Sequence, residues 1–148
     1  MEQAAEPRQI DVLLAKYSES HLNHTNELIH VVCVPAIVFT VLGLFWSLHP
    51  LVAVLVVALS LGYYFTLSRQ FAIGMALMSL LMLGILNALP PGSVLMLSIG
   101  VFVLAWIGQF IGHMIEGKKP SFLDDLRFLA IGPLFVLRIL YRRMKLSY

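Results

Sequence analysis

Three histidines, His21, His30 and His113, are the residues best suited to chemistry in this chain, and three polar side chains accompany them at helical spacing. Asn26 and His30 are four apart and share a helix face; Gln109 and His113 do the same, and Glu116 follows His113 by three. Imidazole is a good ligand for iron, zinc, copper or nickel, and amide or carboxylate neighbours commonly orient the ligand ring through its second nitrogen. One reading is therefore a metal site made by the three histidines with Asn26, Gln109 and Glu116 around it. The plainer reading is that interfacial His, Asn and Gln serve as hydrogen-bond partners between packed helices or sit in headgroup water. There is no His-Glu-x-x-His motif and a single cysteine, Cys33, so spacing alone names no reaction.

Other polar residues carry weaker signals. His24 follows His21 by three and is a fourth ligand candidate, but an exposed interfacial histidine is the simpler expectation, and His49 before Pro50 reads as a turn residue. Asp124 and Asp125 suit a helix N-terminus better than a metal. Lys118, Lys119, Arg142, Arg143 and Lys145 read as lipid-headgroup anchors, with a carboxylate clamp as the alternative. Gly43, Gly62, Gly74, Gly84, Gly100, Gly108 and Gly112 read as close-packing positions, Gly108-x-x-x-Gly112 above all.

The elements that must position these residues are set by apolar blocks. Of 148 residues 59% are hydrophobic and only 12% charged, about half the charged fraction of an ordinary soluble domain, which is roughly 25%. There are too few charges to cover a soluble surface, and the apolar residues stand in long runs between short polar breaks. We expect an all-α fold: a polytopic membrane helical bundle over 1–148 as a single integral membrane domain. Ile10 to His21 reads as an amphipathic helix with Ile10, Leu13, Leu14 and Tyr17 on one face. Leu28 to Leu48, Leu51 to Leu67, Phe71 to Leu89 and Val94 to Met114 are long enough to cross a hydrocarbon core of about 30 Å. Pro35 is a candidate kink in the first span, and Pro90-Pro91-Gly92 is a turn. The last segment, Phe122 to Met144, has a continuous apolar stretch only from Phe128 to Leu137, so a re-entrant or interfacial helix is expected.

With four crossings, the N-terminal segment, Arg69 and Lys118-Lys119 fall on one side, and the opposite loops carry no Lys or Arg. The positive-inside rule makes that side cytoplasmic, and it holds all three histidines. Met1 to Lys16 lacks the apolar core and cleavage site of a secretory signal, and Glu2, Glu6 and Asp11 argue against a transit peptide. The net charge of +2 is small and no basic patch is interleaved with aromatics, so no nucleic-acid partner is expected.

Two motifs in order carry a family resemblance that runs nearly end to end. The first is Tyr17-x-x-x-His21-x-x-x-x-Asn26-x-x-x-His30 followed by Val34-Pro35; the second is Trp106-x-x-Gln109-Phe110-x-Gly112-His113-x-x-Glu116-Gly117-x-x-Pro120. With them the chain resembles the membrane 2-hydroxy fatty acid dioxygenases, fungal endoplasmic-reticulum enzymes of fatty acid α-oxidation and their bacterial relatives. The resemblance implies an enzyme that uses Fe(II) and dioxygen to shorten a 2-hydroxy fatty acid by one carbon, in a bacterial inner membrane or the endoplasmic reticulum. It implies His21, His30 and His113 as iron ligands, and Asn26, Gln109 and Glu116 as ligand, orienting or proton-handling groups. His24 lies outside the pattern. Ser121 stands where relatives often have Ala, and Cys33 where Gly is frequent; neither departure touches an implied ligand.

The chemistry so implied has the substrate's carboxylate and 2-hydroxyl chelating iron while its alkyl chain lies among apolar helices. A competing reading from another class is a non-catalytic membrane protein, such as a transporter subunit or assembly factor, with a structural metal or none. A transporter needs polar residues along a path through the bilayer, and the second and third spans offer little beyond Ser60, Tyr63, Tyr64, Thr66 and Ser79. Membrane hydroxylases and desaturases use more histidines than the five present.

Overall fold

The computed structural model describes residues 6–148, so Glu2 lies outside the described residues. The chain is all-helical there: α1 (Gln9–Ser18), α2 (His24–Leu48), α3 (Pro50–Leu67), α4 (Arg69–Ala88), α5 (Val94–Glu116) and α6 (Arg127–Arg143), with a short 3-10 turn at Ser121–Leu123 before α6. Helices α2 to α5 are each long and apolar enough to cross a membrane. Much of their surface is bare apolar side chain, such as Leu51, Leu55, Leu59, Leu80, Leu81 and Leu104. Lipid is the solvent in which such an apolar surface is stable, and a helix can enter it because its backbone hydrogen bonds are made within the segment.

The links between spans are minimal. His49 and Ser68 are single extended residues between consecutive helices, and each caps the next one: Leu51 N–H donates to His49 Nδ1 at 3.1 Å, and Phe71 N–H to Ser68 Oγ at 3.5 Å. At Pro50 the missing N–H costs nothing in the first turn. Pro35 lies inside α2 without ending it. Gly117, at φ +72°, closes α5 in a left-handed conformation that favours glycine.

Among the boundaries that differ from expectation, two flank His21 and one opens α6, which starts at Arg127 rather than Phe122. Helix α1 stops at Ser18, so His21 sits in the turn after it. Helix α2 begins at His24, because Asn23 Oδ1 accepts from Thr25 and Asn26 N–H and caps it. The glycine expectation also divides. A Cβ at Gly43, Gly74, Gly108 or Gly112 would press on a neighbouring side chain, while Gly62, Gly84 and Gly100 face open space. Gly108 lies against Cys33 and Gly112 against Asn26, so these two set how closely α5 approaches α2.

Helices α1 and α6 cover one end of the four-helix core. The apolar face Ile10, Leu13, Leu14 and Tyr17 is buried in one cluster with Phe128, Ile131, Leu134 and Phe135 of α6 and Phe71 and Met75 of α4. The polar ties of α6 reach the same end: Tyr64 Oη donates to Ala130 O at 2.9 Å, Tyr141 Oη to Gln70 O at 2.8 Å, and Arg138 to Ser18 Oγ at 2.5 Å. This is the end at which α2 and α4 begin and α3 and α5 finish. A second cluster, Leu42, Val57, Met82, Leu86 and Val94, fills the other half.

Candidate metal centre

The three histidines converge from a turn and two helices. His21 is buried in the α1–α2 turn, His30 two turns into α2, and His113 one turn before the end of α5. One ring nitrogen from each lies within 4.8 Å of the others. The ring centroids are 4.3 Å (His21 to His30), 4.8 Å (His30 to His113) and 5.1 Å (His21 to His113) apart, with the planes near perpendicular.

Two of the rings are oriented by the carbonyl one helical turn back. His21 Nδ1–H donates to Tyr17 O at 2.7 Å and His30 Nδ1–H to Asn26 O at 2.9 Å. Each bond places the ring proton on Nδ1 and leaves the Nε2 lone pair free, the arrangement that ligating histidines commonly show. His21 Nε2 and His113 Nδ1 are buried without a hydrogen-bond partner. His30 Nε2 and His113 Nε2 face each other at 3.2 Å. With metal–nitrogen bonds of about 2.0–2.1 Å, two ligand nitrogens on one ion stand roughly 3 Å apart; the His30–His113 pair has that spacing, and the full group, within 4.8 Å, closes on one cation with a small shift of the rings.

The ring of His21 stacks on Tyr17, with centroids 4.2 Å apart, and lies 5.2 Å from Phe135 of α6. Burial among these rings pushes the His21 pKa down to about 4 and raises that of Tyr17. His21 is thus neutral, the state that ligates.

Asn26 and Glu116 hold the turn that carries His21. The Glu116 carboxylate accepts from Leu22 N–H at 3.0 Å, Asn23 N–H at 2.8 Å and Asn26 Nδ2 at 3.1 Å, and Asn26 Nδ2 also donates to Ser20 O at 3.1 Å. One carboxylate at the end of α5 therefore ties the start of α2 and the preceding turn together. Gln109 is buried and lines a small cavity of about 60 Å³ with His30 and His113. Val34, Ile37, Val38, Trp106, Phe122 and Leu129 form much of its apolar wall.

The remaining candidates stand apart. His24 is exposed, outside the histidine group. Asp124 pairs with Lys119 at 2.6 Å, and Asp125 caps α6 by accepting from Arg127 N–H at 2.9 Å. His49 is at the opposite end of the bundle. Spacing gave no role to Ser20 and Ser121, whose hydroxyls meet at 2.5 Å and join the His21 turn to the 3-10 turn. Nor did it give one to Phe135, which no local pattern connects to a histidine 114 positions earlier in the chain.

The comparisons with known proteins bear on the same residues. Residues 8–144 match the family model described as 2-hydroxy-palmitic acid dioxygenase Mpo1-like. The 2-hydroxy-palmitic acid dioxygenase MPO1 of Saccharomyces cerevisiae is 30% identical over 132 residues, covering 84% of this chain and 75% of the yeast protein. No solved structure gives a significant match. The family match spans α1 to α6 and so includes every residue of the histidine centre: the chain belongs to the Mpo1-like family.

Proposed function

We propose that this protein is a membrane dioxygenase that uses Fe(II) and dioxygen to shorten 2-hydroxy fatty acids by one carbon. The observation that carries the reading is the buried three-histidine group, with two Nε2 lone pairs fixed by carbonyl bonds at Nδ1 and with His30 and His113 lining an apolar cavity. The name of the yeast relative supplies the substrate class. When bound, ferrous iron supplies the binding and activation of dioxygen, and three protein ligands leave coordination positions for other reactants.

The chain's own residues do the rest. His21, His30 and His113 would hold the ion. Asn26 and Glu116 orient the His21 turn, and Gln109 presents an amide to the cavity. The substrate's carboxylate and 2-hydroxyl face the imidazoles and Gln109, while its alkyl chain runs along the apolar wall. Dioxygen, itself apolar, reaches the same wall from lipid.

We read the whole chain as one integral membrane domain, with α1 and α6 lying along the cytoplasmic surface of a bacterial inner membrane or the endoplasmic reticulum. The basic residues Arg69, Lys118 and Lys119 gather at that end and support the orientation. Metal analysis of the purified protein, with oxygen uptake on 2-hydroxypalmitate, tests the function. His113→Ala should lose both iron and product, and full turnover in that variant would remove His113 from the site.

A further inference from the structure

The cavity beside the histidines is small. At about 60 Å³, against roughly 10–15 Å³ for each water-sized group, it has room for about four to six such groups. That accommodates a head group and the first carbons and no long chain. The cavity is not sealed, however. Ile37, Val38, Trp106, Phe122 and Leu129 line it and are also partly exposed on the surface, Leu129 by 49%. These five apolar side chains come from α2, α5, the 3-10 turn and α6, and together they frame an apolar mouth at the surface of the bundle. Ser121 and Phe128 border the cavity and also a water-facing pocket of about 360 Å³, which carries Lys16, Lys118 and Lys119 together with Glu19 and Asp124. One side of the site is apolar and the other charged, with lysines in slight excess over acids.

We propose that the substrate stays anchored in the bilayer while it reacts. Only its anionic head and first carbons enter the cavity, and the tail leaves through the mouth beside Trp106, Phe122 and Leu129. This rests on the function proposed above and adds how the substrate is selected. Trp106 and Phe122 meet edge to face with centroids 5.3 Å apart, an aromatic pair at one edge of the mouth. Phe122 is held there by the turn it sits on, which is fixed on one side by the Ser20–Ser121 hydrogen bond and on the other by the Lys119–Asp124 ion pair. Selection is therefore strict near the head, where the walls close, and loose along the tail, which lies in lipid.

The test uses the full-length protein in phosphatidylcholine vesicles. Straight-chain 2-hydroxy acids of increasing length, compared at equal membrane concentration, should give similar kcat. An acid with a methyl branch beside the hydroxyl-bearing carbon should react at least about tenfold more slowly, the size of effect that one misplaced methyl produces. Phe122→Ala and, independently, Leu129→Ala should raise the branched-to-straight ratio about tenfold. A second, activity-independent arm uses 2-hydroxy acids with a diazirine near the head or at the tail. The head probe should label Trp106, Phe122 or Leu129, and the tail probe should label lipid. A sharp fall in kcat beyond one chain length, tail labelling inside the bundle, or an unchanged ratio in both folded variants would overturn the proposal. Labelling at the mouth without turnover of any 2-hydroxy acid would sink the functional reading and leave the mouth standing; turnover without labelling there would do the reverse.

Discussion

His30 Nε2 lies 3.2 Å from His113 Nε2, so two ring nitrogens from helices α2 and α5 face each other across the seam between them. Because His30 Nδ1–H is engaged by Asn26 O, its Nε2 can only accept. A proton on His113 Nε2 would satisfy that pair but leave His21 Nε2 without a partner, whereas a shared cation would serve all three rings.

The first prediction follows from that geometry. The purified protein should bind one divalent metal per chain, and metal at about a hundred times Kd should stabilise it by about 2.7 kcal/mol. Thermal unfolding in detergent, with and without a chelator, measures this. His30→Ala should abolish the metal-dependent shift, and an undiminished shift in that variant would refute a shared ion.

Glu116 tests whether the His21 turn is held from α5. Glu116→Gln keeps the shape but removes the charge that strengthens bonds from Leu22, Asn23 and Asn26. Loss of an orienting partner typically lowers metal affinity about 10- to 100-fold. We expect a loss in this range by metal titration, with helical content by circular dichroism unchanged.

The α2–α5 seam is tested at Gly108. A Cβ there would stand 2.7 Å from Cys33 Sγ, so Gly108→Ala should destabilise by about 1–3 kcal/mol, the usual cost of overpacking. Adding Cys33→Gly should recover most of it, because the clash involves that side chain. Additive losses in the double variant would show that the two positions do not meet.

Ser121→Ala removes the bond to Ser20 and leaves the backbone intact. A hydrogen bond of this kind contributes about 0.5–1.5 kcal/mol net. The free energy of unfolding should fall by that amount while metal binding persists. Loss of the metal would make the Ser20–Ser121 contact part of the centre itself.

Much of this arrangement was legible in the sequence, for reasons that differ by level. The four spans follow from apolar length, and helical periodicity puts His30 on one face with Asn26 and His113 on one face with Gln109. The buried face of α1 was readable from Ile10, Leu13, Leu14 and Tyr17. What local pattern could not show is the end of α1, because Ser18 to Ser20 carry no strong stop signal and Asn23 acts on the following helix. Nor could it show contacts made across the chain, such as Glu116 with the α1–α2 turn, Cys33 against Gly108, or Phe135 on His21. These depend on which spans become neighbours, and apolar surfaces facing lipid do not encode that choice in their periodicity.

The distribution of the histidines along the chain has a consequence for biosynthesis. His30 and His113 are 83 positions apart, and the α6 residue Arg138 that meets Ser18 follows it by 120. Helix α2 is made early and displays His30 near its start, but its partner arrives only with the last of the four spans, and the cover from α6 comes later still. Synthesis proceeds from the N-terminus, so the centre assembles among the last events. The proposed three-histidine ligand set is complete only once α5 has been made.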